Sequence, residues 1–113
     1  MVVTGWNNGA HSRNGAGYGF RVQTADRDAF FQKDWTSIWV ELEGEEGAVE
    51  IPLPGEKFWS EESAPLVSPA VGRWLRKNGL APWARGNPPT FILDPIEGNR
   101  FHARKAPRQR PAF

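Results

Sequence analysis

The sequence predicts one mainly β domain, a small barrel or sandwich with two short helices. In residues 36–53, apolar and polar side chains alternate on both sides of a Gly-Glu-Glu-Gly turn, which is the pattern of an antiparallel hairpin. Ser68-Pro69 is typical of a helix start and Asn78-Gly79 of a helix end. The length of 113 residues accommodates one small core but not two ordinary domains.

The other elements follow from capping and turn residues. Thr24 is placed to cap a first helix that ends at Phe31. The first turn of this helix carries acidic residues, which the helix dipole favours there. Residues 55–63 carry two aromatic side chains but are too irregular for a strand. Further strands are predicted at residues 1–6, 19–23, 90–93 and 100–103. The predicted order is strand, loop, strand, helix, hairpin, irregular segment, helix, strand, strand.

Six tryptophans have to be placed in this fold. Their large apolar area favours core or barrel-end positions for those that sit beside strand or helix residues, namely Trp35, Trp39, Trp74 and Trp83. Trp6 and Trp59 adjoin the irregular segments, and we expect them to buttress those loops.

Composition excludes several classes of function. The absence of cysteine excludes a disulfide framework, a thiolate metal site and a thiol nucleophile, and the two histidines stand far apart. No apolar run approaches the ~18 residues that span a bilayer, and no signal-peptide pattern occurs. Gly15, Gly17 and Gly19 do not match the dinucleotide-binding spacing. We therefore expect a soluble cytoplasmic protein with no catalytic residue, no metal and no cofactor.

Charge is distributed unevenly although the net charge is only +1. Residues 41–62 contain eight of the 13 acidic residues and only one lysine. Residues 1–23 and 100–113 contain basic residues and no acid. Both ends are therefore predicted to face a polyanion, although a basic tail equally serves solubility.

The glycine-rich loop W-N-N-G-A-H-S-R-N-G-A-G-Y has no carboxylate and is rich in side chains that match base edges in a DNA major groove. Arg13 suits guanine or phosphate, since a guanidinium forms bidentate contacts with both. For the asparagines, turn formation is an equally good explanation, because Asn8-Gly9 is also a hairpin-turn dipeptide. His11 is more commonly a solvated loop histidine.

Motifs in both halves of the chain carry a family resemblance. They are G-F-R-V-Q-T-A-D-R-D-A-F-F before the hairpin, and V-G-R-W-L-R-K-N-G-L followed by T-F-I-L and G-N-R-F near the end. Together with the element order they resemble the B-three DNA-binding domain of plant transcription factors, which some type II restriction endonucleases share as a target-recognition domain. The resemblance implies a seven-stranded open pseudobarrel with two short α-helices at residues 1–104. Composition predicts a basic, flexible tail at residues 105–113. The segment A-P-W-A-R-G-N-P-P is an insertion relative to the plant pattern.

In the family two arms grip the major groove of double-stranded DNA, and the resemblance places them at residues 7–18, here called the N-arm, and 55–63, the C-arm. It implies base reading by Asn7, Asn8, His11, Ser12, Arg13 and Asn14 in the N-arm and by Lys57, Trp59, Ser60, Glu61 and Ser63 in the C-arm. It implies phosphate contacts from Arg21, Arg27, Lys33, Arg100, Arg104 and Lys105. A carboxylate such as Glu61 or Glu62 would accept from the amino group of cytosine.

The resulting hypothesis is a sequence-specific DNA-binding domain without chemistry of its own. The resemblance makes it the target-recognition domain of a restriction endonuclease, with the nuclease domain elsewhere in a longer polypeptide. Two alternatives stay open. A small β-barrel that binds RNA or modified bases would stack them on Trp6, Tyr18 or Trp59. A protein-interaction module would use the acidic hairpin.

Overall fold

The computed structural model describes residues 1–10 and 12–106, which form one seven-stranded mixed sheet that is nearly closed into a barrel. The strands are β1 (Val2–Asn7), β2 (Tyr18–Arg21), β3 (Ser37–Leu42), β4 (Val49–Pro52), β5 (Leu66–Val67), β6 (Thr90–Glu97) and β7 (Arg100–Lys105). The helices in these residues are α1 (Thr24–Phe30), α2 (Pro69–Lys77) and one 3-10 turn, Gly55–Lys57. The predicted mainly β pseudobarrel with two short α-helices is confirmed.

The strand order determines where the two arms lie. It runs β4-β3-β7-β6-β1-β2-β5, and neighbouring strands are antiparallel except β3 and β7. The edge strands β4 and β5 contact each other, so β7 lies across the barrel from β2 and β5. The N-arm joins β1 to β2 and the C-arm joins β4 to β5. Both arms therefore flank the same side of the barrel, at opposite ends of β2.

The hairpin prediction is confirmed, with β3 and β4 paired from Ser37 with Pro52 to Val40 with Val49. The strand that the pattern did not predict is β5, because two residues are too few to show a period. β5 pairs with β2 through Leu66 and Phe20. β7 extends to Lys105, one residue beyond the predicted end of the domain, whereas residues 107–113 of the predicted tail lie outside the described residues.

Helix α2 begins and ends where the sequence predicted. Ser68 is the N-cap, its hydroxyl accepts from the Val71 N–H at 3.5 Å, and Gly79 follows the helix with φ of +70°. Helix α1 differs from the prediction, because Gln23 is its N-cap without a side-chain cap and Thr24 is already helical. Neither α-helix in the described residues has the length and apolarity needed to cross a membrane.

The core fills the barrel with aromatic rings. Phe20, Trp74 and Phe91 pack together in its middle, and the Trp74 indole N–H donates to the Glu43 carbonyl oxygen at 2.8 Å. The core prediction for Trp39 is wrong. Its side chain is exposed because the alternation on β3 turns its neighbours inward. Trp35 and Trp83 are partly buried against the core, as expected for barrel-end residues.

Candidate nucleic-acid interface

The N-arm is held on α2 by two arginines three positions apart. Arg76 Nε donates to the Ser12 carbonyl oxygen at 3.1 Å, and Arg73 Nη1 donates to the Asn14 carbonyl oxygen at 3.2 Å. Side chains with this spacing lie on the same face of a helix. The helix therefore fixes the backbone on both sides of Arg13.

The backbones of the N-arm and α2 meet at two glycines. A Cβ on Gly15 would overlap the Pro69 carbonyl oxygen, and one on Gly72 would overlap the Gly15 carbonyl oxygen and lie 2.6 Å from its Cα. Gly15 also has φ of +88°, a conformation that favours glycine. The contact between Gly15 and Gly72 therefore sets how closely the arm approaches the helix.

The asparagines of the N-arm use their side-chain oxygens within the arm itself. Asn7 Oδ1 accepts from the Gly9 N–H at 2.8 Å, and Asn8 Oδ1 accepts from the Ala10 N–H at 2.9 Å. Asn14 Oδ1 accepts two bonds, one from the Ala16 N–H at 2.9 Å and one from the Ser12 hydroxyl at 2.7 Å. Bidentate reading of adenine needs the amide oxygen as an acceptor. Asn14 has both acceptor sites occupied, so it cannot read adenine in this conformation. Turn formation, one of the two predicted roles, is what these bonds support.

Arg13 is the N-arm side chain best placed to contact a ligand. It is exposed, and no group in the described part of the chain bonds to its guanidinium. The carbonyls of its neighbours are bound to α2, so its backbone is fixed while its side chain is available. Ser12 is half-buried and its hydroxyl is used by Asn14. His11, also predicted to read bases, lies outside the described residues.

The C-arm is held by hydrogen bonds from Arg27 of α1. This residue is 7% exposed, and its Nη1 donates to the carbonyl oxygens of Phe58 at 2.8 Å and Ser60 at 2.6 Å. Its Nε donates to Asp28 Oδ1 at 3.0 Å. The predicted phosphate contact of Arg27 is therefore wrong for this conformation, because the charge is buried and already bonded to the arm.

The end of the C-arm is tied to the second strand. Ser63 is 3% exposed and its hydroxyl donates to the Val22 carbonyl oxygen at 2.9 Å, so its predicted role as a base reader is also wrong. Arg21 Nη1 donates to the carbonyl oxygens of Glu62 at 3.0 Å and Ser63 at 3.2 Å. Arg21 is exposed, and a guanidinium has five N–H donors, so it retains donors for a ligand.

Trp59 connects the C-arm to the barrel, as its predicted buttressing role requires. The half-buried ring centroid lies 5.3 Å from the Arg27 guanidinium carbon and 5.7 Å from Lys33 Nζ. Cations at such distances from an indole face are attracted by its quadrupole. Lys33, which is predicted to contact phosphate, is exposed and lies beside the C-arm.

The solvent-facing part of the C-arm mixes one cation with three carboxylates. Lys57, Glu56, Glu61 and Glu62 are all exposed, and none of them forms an ion pair with another described residue. The Ser60 hydroxyl donates to the Lys57 carbonyl oxygen at 2.7 Å. The C-arm therefore offers acceptors as well as a donor, whereas the N-arm offers mainly donors.

Ion pairs involve some of the cations of the domain and leave others without a carboxylate partner. Those near the acidic hairpin or β6 are paired: Lys77 with Glu45 at 3.3 Å, Arg100 with Glu41 at 3.4 Å and Arg104 with Asp94 at 3.0 Å. Around the arms Arg27 pairs with Asp28 at 3.0 Å, whereas six exposed cations have no carboxylate partner among residues 1–10 and 12–106: Arg13, Arg21, Lys33, Lys57, Arg73 and Arg85. Cations available to an external anion are therefore concentrated around the arms.

The placement of β7 changes the predicted phosphate-binding set. Arg100 and Arg104 lie across the barrel from β2 and β5, and each is neutralised by a carboxylate. Lys105 Nζ donates to Asn78 Oδ1 at 3.3 Å beyond the end of α2. Arg100 and Arg104 are therefore not placed with the arms, contrary to the prediction. The Lys105 ammonium has no carboxylate partner among the described residues and lines a cavity with Trp83 and Asn87 of the insertion, so its phosphate contact stays a prediction.

Three arginines near the arms were missed by the sequence reasoning. Arg73 and Arg76 were given no role, although their spacing of three residues was an available signal. Arg85 lies in the insertion, which was seen as a departure from the family pattern without a role. Neither a family model, nor a curated protein, nor a solved structure matches the chain.

Proposed function

We propose that this protein binds double-stranded DNA sequence-specifically, through the side of the barrel that the two arms flank. The observation that carries the proposal is the presentation of Arg13. Arg73 and Arg76 of α2, together with the contact between Gly15 and Gly72, hold the N-arm in place. The arm presents the Arg13 guanidinium, which has no partner in the described residues. A preorganised cation on a carboxylate-free loop suits bidentate contact with guanine N7 and O6.

Phosphate contacts in this proposal come from the cations that lack carboxylate partners. Arg21 lies between the arms on β2, while Lys33 and Lys57 lie beside and on the C-arm. Such contacts fix the position and register of a protein on the duplex without reading its sequence. Their position around both arms allows the duplex to lie along the outer face of β2 and β5.

The acidic residues of the C-arm contribute to specificity rather than to affinity. An exposed carboxylate such as Glu61 accepts from the amino group of cytosine but repels phosphate and the acceptor edges of other bases. The proposal therefore assigns cytosine selection to Glu61 or Glu62, with Lys57 and Ser60 as neighbouring donors. On the resemblance stated above, we further propose that the domain is the recognition part of a restriction endonuclease whose nuclease lies elsewhere in a longer polypeptide.

The structure weakens one alternative. RNA or modified-base binding by stacking was predicted to use Tyr18 among others, and Tyr18 is completely buried. A stacking platform needs an accessible ring face. Preference for single strands over duplex in a binding assay would nevertheless overturn the proposal in favour of that alternative.

The first test is selection from randomised duplexes, followed by measurements on the Arg13→Ala variant. We expect a short enriched motif, and a loss of discrimination at one base pair of about 10- to 100-fold in the variant, because a good bidentate contact discriminates by ~1–3 kcal/mol. Binding to scrambled duplex should fall much less. Arg100→Ala is the matched control, since its side chain is paired with Glu41 across the barrel.

Two outcomes would contradict this proposal. Failure to enrich any motif, with binding that disappears as salt rises, would leave only general phosphate attraction. Equal losses on selected and scrambled duplexes for Arg13→Ala would remove Arg13 as a base reader.

A further inference from the structure

A cleft of about 430 Å³ lies between the base of the N-arm and the insertion after α2. Its walls are Asn7 and Gly9 on the arm and Trp83, Arg85 and Gly86 on the insertion. None of these lining residues is acidic. The cleft therefore lies between the proposed recognition loop and a segment to which the proposed function assigns no role.

The insertion is fixed to the barrel at Trp83 and at Pro89, on either side of Arg85 along the chain. The Gly5 N–H donates to the Pro89 carbonyl oxygen at 2.8 Å, and the Trp83 ring packs edge-on against Tyr18 with centroids 5.8 Å apart. A Cβ on Gly5 would lie only 3.1 Å from Pro89 Cγ and 3.2 Å from Trp83 Cη2. The strand glycine thus lets the insertion lie directly on β1, so the cleft has a packed wall.

Arg85 is presented at the tip of a tight turn. The Asn87 N–H donates to the Ala84 carbonyl oxygen at 2.9 Å, and Gly86 at the third position has φ of +79°, as a type II turn requires. Arg85 occupies the second position of this turn and is exposed. No carboxylate pairs with it in the described part of the chain.

Asn7 contributes a donor to the opposite wall. Its Oδ1 already accepts from the Gly9 N–H at 2.8 Å, which leaves the amide NH₂ group without a partner among the described residues. An arginine and an amide donor that line one acid-free cleft suit an anion with several acceptor oxygens. Asn7 Oδ1 already accepts one bond, from Gly9 N–H, whereas both amide N–H donors are unbonded within the described residues, so a phosphate, which only accepts hydrogen bonds, suits this site.

We propose that the cleft binds one backbone phosphate of the DNA, next to the bases that the N-arm contacts, with Arg85 and Asn7 as its donors. This inference rests on the proposed function and makes the insertion a third DNA-contacting element beside the two arms. It also reassigns Asn7 from a base reader to a phosphate contact. The fixed distance between Arg85 and the arm would set the register of the arm on the duplex.

The test compares Arg85→Ala, Arg85→Lys and the control Arg100→Ala on the selected duplex and on a scrambled one over a range of salt concentrations. For Arg85→Ala we expect the slope of log K against log salt to become shallower by about 0.9, the value for one released counterion. Selected and scrambled duplexes should lose affinity by similar factors, because a phosphate contact carries no sequence information. Arg85→Lys should keep the wild-type slope, and so should Arg100→Ala.

Asn7→Asp adds an independent readout. Aspartate keeps the oxygen that accepts from Gly9 N–H but replaces the donor with a negative charge, so it should weaken binding to both duplexes without altering the thermal midpoint. Wild-type binding with an unchanged slope in Arg85→Ala would overturn the phosphate site alone. A wild-type protein that does not bind duplex DNA would overturn the proposed function and the phosphate site together.

Discussion

Replacing Arg27 with methionine is expected to lower the free energy of unfolding by about 3 kcal/mol, since hydrogen bonds to charged groups contribute roughly 1.5–3 kcal/mol each. The variant leaves the carbonyl oxygens of Phe58 and Ser60 without their donor in a largely buried site. It also removes the cation that lies over Trp59. The loss should appear as a lower urea midpoint with an unchanged m-value.

Two further variants show whether geometry or charge is responsible. Arg27→Lys should recover little stability, because an ammonium group lacks the planar fork that reaches two carbonyls at once. Arg100→Met removes an arginine from an exposed pair and should cost less than about 1 kcal/mol. If Arg27→Met were no more destabilising than Arg100→Met, the anchoring of the C-arm by Arg27 would be refuted.

The sequence predicted the elements that depend on local chemistry. Alternation identified the hairpin because one face of β3 and β4 is buried, and the Ser68-Pro69 start of α2 followed from backbone capping alone. It failed where tertiary packing overrides local signals. Trp39 is large and apolar but falls on the outward side of β3, and β5 exists only because β2 offers an edge for it.

The candidate site was predicted in composition but not in architecture. Arg13 could be singled out because its loop contains no carboxylate, which is a property of the sequence. The bonds from Arg76 and Arg73 to the N-arm span 64 and 59 residues, so no local pattern indicates them. For the same reason Arg27 was taken for a surface cation, although it bonds to carbonyls more than 30 residues away.

Gly72→Ala tests the contact between α2 and the N-arm through the sign of its effect on stability. On helix propensity alone, alanine in a helix interior should stabilise the protein by about 1 kcal/mol relative to glycine. Here the added methyl group meets the backbone of Gly15, which cannot rotate away as a flexible side chain can. Overpacking of this kind costs about 1–3 kcal/mol, so we expect net destabilisation and an N-arm displaced from the helix.

If Arg13 reads a base as proposed, the displacement should also remove the preference for the selected duplex, because Arg13 would reach that base only from a fixed arm. Binding to scrambled DNA should persist. Gly79→Ala is the matched control: Gly79 follows the same helix, has φ of +70° and has open space around its Cβ position. It should lower stability by roughly 1–2 kcal/mol through backbone strain alone and leave specificity intact. A Gly72→Ala protein that is more stable than the wild type and equally specific would show that the helix does not position the arm.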